Sequence, residues 1–324
     1  MKKILITGAG GFIGSHLTEM CVEQGFEVRA LVHYNSMNSW GWLDTSGITS
    51  DIEVISGDVC DYKSMLRAMT GVDSVMHLAA LIGIPFSYVA SGAYVQTNII
   101  GTYNILESAK ELGLENIIIT STSETYGTAQ SVPMDENHPL VGQSPYSASK
   151  IAADQLAISY HRSFGLPVKI ARPFNSYGPR QSARAIIPTI MTQIIKEGKV
   201  IRIGNTEPTR DLTFVKDTAS GILAIARSKK AIGEVINIGM QEETKIGDLA
   251  CMIARIARVE IELQGDSQRI RPEESEVQRL LCDKSKIGKL TDWKPEYTLD
   301  QGLKETFEWF QENVDQYKSD IYNL

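Results

Sequence analysis

The chain has 324 residues, 43% of them hydrophobic and 22% charged, which is enough for a large core of one or two domains and unlike a disordered composition. Its net charge of −7, with no Lys/Arg-rich block, argues against nucleic acid as a partner, because such a field repels polyphosphate. No apolar run approaches the roughly 20 residues of a membrane span, and the scattered Cys21, Cys60, Cys251 and Cys282 lack the spacing of a metal site or a disulfide framework.

Met1-Lys2-Lys3-Ile4-Leu5-Ile6 imitates the start of a secretory signal. Its apolar run stops at Thr7-Gly8, however, so it reads as a buried strand, and the cytoplasm is the expected compartment. Strands are predicted at 3–7, 27–32, 53–55, 74–78, 116–121, 168–171 and 234–238, rich in Ile and Val and apolar on both faces. Between them, amphipathic helices are predicted at 15–24, 62–69, 97–112 and 147–164. Strands without polar alternation, separated by helices, predict an α/β, doubly wound parallel sheet of the Rossmann type. After Arg172 the pattern loosens around Pro173, Pro179, Pro188 and Pro208. The expected division is a dinucleotide-binding domain, 1–172 plus about 210–239, and a smaller substrate-binding lobe, 173–209 plus 240–324.

Directly after the first strand comes Gly8-Ala9-Gly10-Gly11-Phe12-Ile13-Gly14, with a helix following at once. Glycines 8, 11 and 14 let the backbone turn tightly and approach a pyrophosphate, while the helix N-terminus supplies N–H donors and partial positive charge. A plain tight turn would look similar, but the strand–loop–helix context favours a dinucleotide. Asp58-Val59, after the third strand, offers a carboxylate for the adenine amino group; Leu78-Ala79-Ala80, ending the fourth, is small enough for a cofactor to lie across. The second strand ends Val32-His33-Tyr34-Asn35-Ser36, without the acidic residue of NAD-selective sites. His33, Asn35 and Ser36 can bond a 2′-phosphate, so NADP or NAD is expected, NADP slightly favoured, although no Arg supplies a clamp.

Tyr146 and Lys150 stand four apart, on one face if the segment is helical. A nearby ammonium is expected to lower the phenol from about 10 toward neutrality, making it a usable base.

Together with Ser121-Thr122 and Arg172-Pro173-Phe174-Asn175, these motifs resemble an extended short-chain dehydrogenase/reductase. The match runs nearly end to end, through Asp283-Lys284-Ser285-Lys286, Trp293-Lys294-Pro295 and Gly302-Leu303. The resemblance implies that Tyr146 takes a proton from a sugar hydroxyl, that the nicotinamide takes the hydride, and that Lys150 and Thr122 hold phenolate and hydroxyl. It also implies a homodimer, here pairing helices 97–112 and 147–164.

Thr122-Ser123-Glu124 resembles the GDP-mannose branch of the sugar-nucleotide 4,6-dehydratases. Such an enzyme needs a base once C4 is a ketone, because the C5 proton is then acidic and must leave. Glu124 suits that task; whether it or Ser123 supplies the acid for the departing 6-hydroxyl stays open. UDP-glucuronate decarboxylases carry a very similar stretch, and a 4-epimerase or a non-catalytic dinucleotide-sensing protein are the further alternatives. Arg180–Pro188, Pro208–Asp211 and Asn38–Asp44 are most similar to dehydratases acting on nucleotide-linked N-acetylglucosamine, a group that includes enzymes opening legionaminic-acid-type pathways of cell-surface polysaccharide biosynthesis. A UDP- or GDP-linked N-acetylglucosamine is therefore the favoured substrate. The resemblance places Asn175, Arg210 and Arg271 around its diphosphate, with Arg184 and Arg279 as weaker candidates.

Overall fold

Seven parallel strands form the spine of the computed structural model, which describes residues 1–196 and 198–318. They are β1 (Lys3–Thr7), β2 (Glu27–His33), β3 (Ile52–Gly57), β4 (Ser74–His77), β5 (Asn116–Thr120), β6 (Val168–Pro173) and, much later, β11 (Val235–Ile238). Their order across the sheet is β11-β6-β5-β4-β1-β2-β3. It reverses between β1 and β4, opening a crevice beyond their carboxyl ends where ligands bind in such sheets.

Both faces are covered, which is why the strands carry no polar alternation. On one face α1 (Phe12–Glu23) packs against α8 (Val215–Arg227), over Ile4, Ile6, Leu17, Met76, Ile222 and Ile236. On the other lie α2 (Tyr62–Met69), α5 (Gly101–Leu112) and α6 (Pro145–Phe164), over Leu5, Val75, Ile105, Ile117, Ile119 and Val168. Two short helices, α3 (Ile84–Val89) and α4 (Ser91–Tyr94), precede α5.

A smaller body with its own core is built from α7 (Ile186–Lys196), α9 (Ile246–Ala257) and α11 (Leu299–Asn313), while α10 (Ser285–Leu290) packs back on β11 and α8. Three two-stranded ribbons trim it: β7 (Asn175–Tyr177) with β10 (Leu212–Phe214), β8 (Val200–Ile203) with β13 (Glu262–Gly265), and β9 (Thr209–Arg210) with β12 (Thr244–Lys245). The two bodies are stitched at the glycine-rich turn. Trp42 N–H donates to the Gly10 carbonyl at 3.0 Å, and the Trp42 ring meets Trp309 of α11 edge-on at 5.4 Å.

Two expected bounds shift for physical reasons. Helix α1 begins at Phe12, three residues before the expected start, because Gly11 in extended conformation serves as its N-cap. The expected helix 97–112 is interrupted by a wide π turn over Val95–Ile100 before α5 begins at Gly101. Among the described residues no helix is long and apolar enough to cross a membrane.

Candidate active site

The crevice leads into a cavity of about 1160 Å³ that runs from the glycine loop to the ribbons of the smaller body. This exceeds the roughly 300–1,000 Å³ usual for one small ligand and has room for two. Every sequence-predicted cofactor, catalytic and substrate residue lines it except Ser36; the weaker candidate Arg279 also lies off its wall.

At the dinucleotide end the walls are mainly backbone. Gly8 has φ +70°, and a Cβ there would lie 2.8 Å from the Ala79 nitrogen; a Cβ on Gly14 would lie 2.0 Å from the Gly8 carbonyl oxygen. The turn thus folds back on itself between β1 and β4. No side chain caps α1, so the first N–H donors of the helix remain for an anion. Behind the turn, Thr7 Oγ1 accepts from the Leu78 and Ala79 N–H groups, so its own proton goes to His77 Nδ1 at 2.8 Å. The His77 Nε2–H then faces Thr102 Oγ1 at 3.2 Å. Burial between two hydroxyls pushes His77 down to about 3, keeping it neutral. A pyrophosphate-bearing dinucleotide fits these walls. At the ribose edge, the Asn35 carboxamide is spent on its own loop, accepting from Met37 and Ser39 N–H and donating to the Ser39 carbonyl. His33 lies 3.8 Å from the Asp58 carboxylate.

The middle of the cavity carries the residues expected to react. The Ser144/Ser147 capping box starts α6 and sets the register that places Tyr146 and Lys150 one turn apart. Lys150 Nζ donates to the Thr120 carbonyl at 2.7 Å. Thr122 caps the short turn Ser123–Tyr126, its Oγ1 accepting from the Glu124 N–H at 3.3 Å. That turn presents Ser123 and Glu124 to the cavity beside Tyr146. Behind it, Asp154 accepts from Ser121 at 2.6 Å and from Arg172 at 2.7 Å, a fully buried ion pair anchoring the strand end to α6.

One expectation is corrected here. Lys150 does not bring the phenol toward neutrality in this structure. Burial pushes Tyr146 well above the ordinary tyrosine value, and the nearby Glu124 charge adds to the rise; only a hydrogen bond from Thr122 pulls it down. Burial also lowers Lys150, weakening the cation that was to stabilise phenolate.

The far end is built from long side chains. Arg210 of β9 and Arg271 both approach Glu276, at 3.1 and 3.6 Å. Asn175 Oδ1 and Arg271 Nη1 are buried without a hydrogen-bond partner, which leaves both with bonding capacity for a polar ligand. Burial lowers Arg210, and Glu124 is the strongest of the charges that oppose this. Arg279 instead makes a two-pronged pair with Glu243, at 2.7 Å on each prong. The cavity residues Glu276 and Arg269, and the buried Tyr94 whose ring meets Tyr146, were not singled out from the sequence. Only the Arg269-Ile270-Arg271 spacing offered a local signal, because the partners that make Glu276 informative lie far away in the chain. Among the described residues no cluster of His, Cys, Asp and Glu is placed to hold a metal ion.

Residues 5–306 match the family described as GDP-mannose 4,6 dehydratase. The UDP-N-acetyl-alpha-D-glucosaminuronate decarboxylase of Bacillus cytotoxicus is 31% identical, over 96% of this chain and 98% of its own length. The dTDP-glucose 4,6-dehydratase of Streptomyces venezuelae, solved with NAD bound, superposes with a TM-score of 0.88 at 27% identity, over 98% of this chain and 99% of that one. The UDP-glucuronic acid 4-epimerase of Bacillus cereus, solved with UDP-glucuronic acid and NAD, gives 0.87 at 30% identity, over 97% and 99%. Three chemistries thus stand at similar distances, and the choice among them falls to the side chains in the cavity.

Proposed function

This chain belongs to the GDP-mannose 4,6-dehydratase family, and from that membership we propose that it is an NAD-dependent lyase that removes water from a nucleotide-linked hexose, giving the 4-keto-6-deoxy sugar. The observation that carries the reading is Glu124: a carboxylate held by a capped turn in the same cavity as Tyr146 and Lys150, where an epimerase needs no additional base. Tyr146 takes the proton of the C4 hydroxyl as a phenolate that burial disfavours and the hydrogen bond from Thr122 supports, while Lys150 fixes the strand end through Thr120. Gly8, Gly11 and Gly14 would hold NAD along the turn, where it would supply a reversible hydride acceptor for the hydrogen that leaves C4 and arrives at C6. Glu124 removes the C5 proton and hands it to the C6 hydroxyl, which leaves as water; the proton taken by Tyr146 balances the one later returned to C5. Ser123 has neither the charge nor the acidity to share that work. Asn175, Arg210 and Arg271 receive the diphosphate.

NAD rather than NADP is the cofactor proposed. Asn35 is occupied by its own loop, Ser36 lies off the wall, and Asp58 beside His33 opposes a 2′-phosphate. The favoured substrate is a UDP- or GDP-linked N-acetylglucosamine. A second copy of the chain pairing across α5 and α6 would cover Tyr103 and Phe164, which are exposed there. Incubating the purified protein with UDP- and GDP-linked N-acetylglucosamine, and following loss of one water by mass spectrometry, tests the reading. Epimerised or decarboxylated product without dehydration would replace it.

A further inference from the structure

Arg184 does not share the surroundings of Arg210 and Arg271, which line the same cavity. Arg210 and Arg271 share Glu276, whereas Arg184 pairs with no carboxylate among the described residues; its Nε donates to Ser182 Oγ at 3.1 Å. Its guanidinium lies on the open face of Gly83, in the loop that follows β4. A Cβ on Gly83 would stand 2.0 Å from Arg184 Nη1 and 3.2 Å from Cζ, so the missing side chain is the seat of the guanidinium. The Gly83 carbonyl accepts from the Tyr94 hydroxyl, and the Tyr94 ring meets the Tyr146 ring edge-on at 6.2 Å. The Arg184 charge is felt at Tyr94, while Arg210 feels Arg271, Glu276 and Glu124. Arg184 therefore sits beside Tyr94, on the Tyr146 side of the cavity.

We infer that Arg184, seated over Gly83, is a specificity-determining residue for the hexose, donating to a planar oxygen acceptor on the sugar rather than to the diphosphate. A guanidinium edge matches the in-plane lone pairs of a carbonyl or carboxylate. Two sugar groups supply that chemistry: the carbonyl of an acetamido substituent and the carboxylate of a uronate. The inference rests on the proposed function insofar as the sugar lies beside Tyr146. Dehydration requires a hydroxyl at C6, which a uronate lacks, so the acetamido carbonyl is the expected acceptor.

Gly83 allows a test without unfolding. Its φ of −71° suits alanine, and the atom a Cβ would meet is the tip of a flexible side chain, so Gly83→Ala displaces Arg184 while sparing the backbone. Calorimetric titrations of NAD-saturated protein would compare each free nucleoside diphosphate with its glucose, N-acetylglucosamine and glucuronate derivatives, in the uridine, guanosine and thymidine series. Wild type should prefer the N-acetylglucosamine derivative to the glucose one by on the order of 10- to 100-fold, the worth of one charge-assisted hydrogen bond. Gly83→Ala and Arg184→Gln should each collapse that preference and leave the free diphosphate unchanged, and the double variant should be no worse than either. A preference for the glucuronate derivative, lost in the same variants, would uphold the role of Arg184 and sink the dehydratase reading. Weakening of the free diphosphate in Arg184→Gln, or a sugar preference that survives both variants, overturns the inference.

Discussion

The two ends of the cavity are made of different materials. The dinucleotide end is backbone: a glycine turn, a helix start without a side-chain cap and the short chain after β4, all fixed by the order of the sheet. The sugar-nucleotide end is side chain: Arg184, Arg210, Arg271 and Glu276, carried by segments that meet only in three dimensions. Backbone walls tolerate no added atom and recognise what all dinucleotides share. Side-chain walls can be exchanged residue by residue, and this agrees with relatives of different chemistry lying equally near in sequence.

The largest expected effect falls between the ends. Glu124→Gln keeps shape but removes the proposed base, so dehydration should drop by about 10²–10⁴-fold. Oxidation at C4 should persist, visible as reduced-nicotinamide absorbance on adding substrate, while exchange of the C5 hydrogen with deuterated water disappears. Near-normal water loss in this variant would make Glu124 a bystander. At the backbone end, Gly14→Ala drives a methyl into the Gly8 carbonyl and should cost about 1–3 kcal/mol of strain, read as weaker NAD binding in calorimetry. Unchanged NAD affinity would show that the turn has slack and would blur the contrast.

His77 brings acid sensitivity to the same end. Its folded value lies far below the unfolded value of 6.5, so its neutral form stabilises fully above that pH, and the contribution is lost as pH falls toward about 3. At pH 5 the loss amounts to about 2 kcal/mol, at 1.36 kcal/mol per pH unit. Urea melts at pH 7 and pH 5 should show a shallower pH dependence for His77→Gln than for wild type. At the side-chain end, Glu276→Gln should leave kcat alone and raise KM by roughly 10-fold, the scale of one charged hydrogen bond, because Arg210 and Arg271 lose the group that holds them in place. A fall in kcat with KM unchanged would move Glu276 into the chemical step.

The same contrast explains what could be read from the chain alone. Strands β1 to β6 and the glycine turn are local signals, apolar runs followed by small residues, and each stands within a few residues of its expected place. Tyr146, Lys150 and Glu124 were legible because a helix register and a strand end bring them together. The pairing of Glu276 with two arginines was not, since its members lie far apart in the chain and any one of them resembles a surface charge. Nor was the upward push on Tyr146, which depends on how completely neighbouring elements bury the phenol. The π turn before α5 carries no pattern that distinguishes it from ordinary helix.

The contact between Trp42 and Trp309 ties the glycine turn to a helix distant in the chain. Trp42 follows β2 and its N–H holds the Gly10 carbonyl, whereas Trp309 stands on α11 of the smaller body. The nucleotide turn therefore leans on both bodies at once: loosening α11 removes the packing behind the segment that holds Gly10.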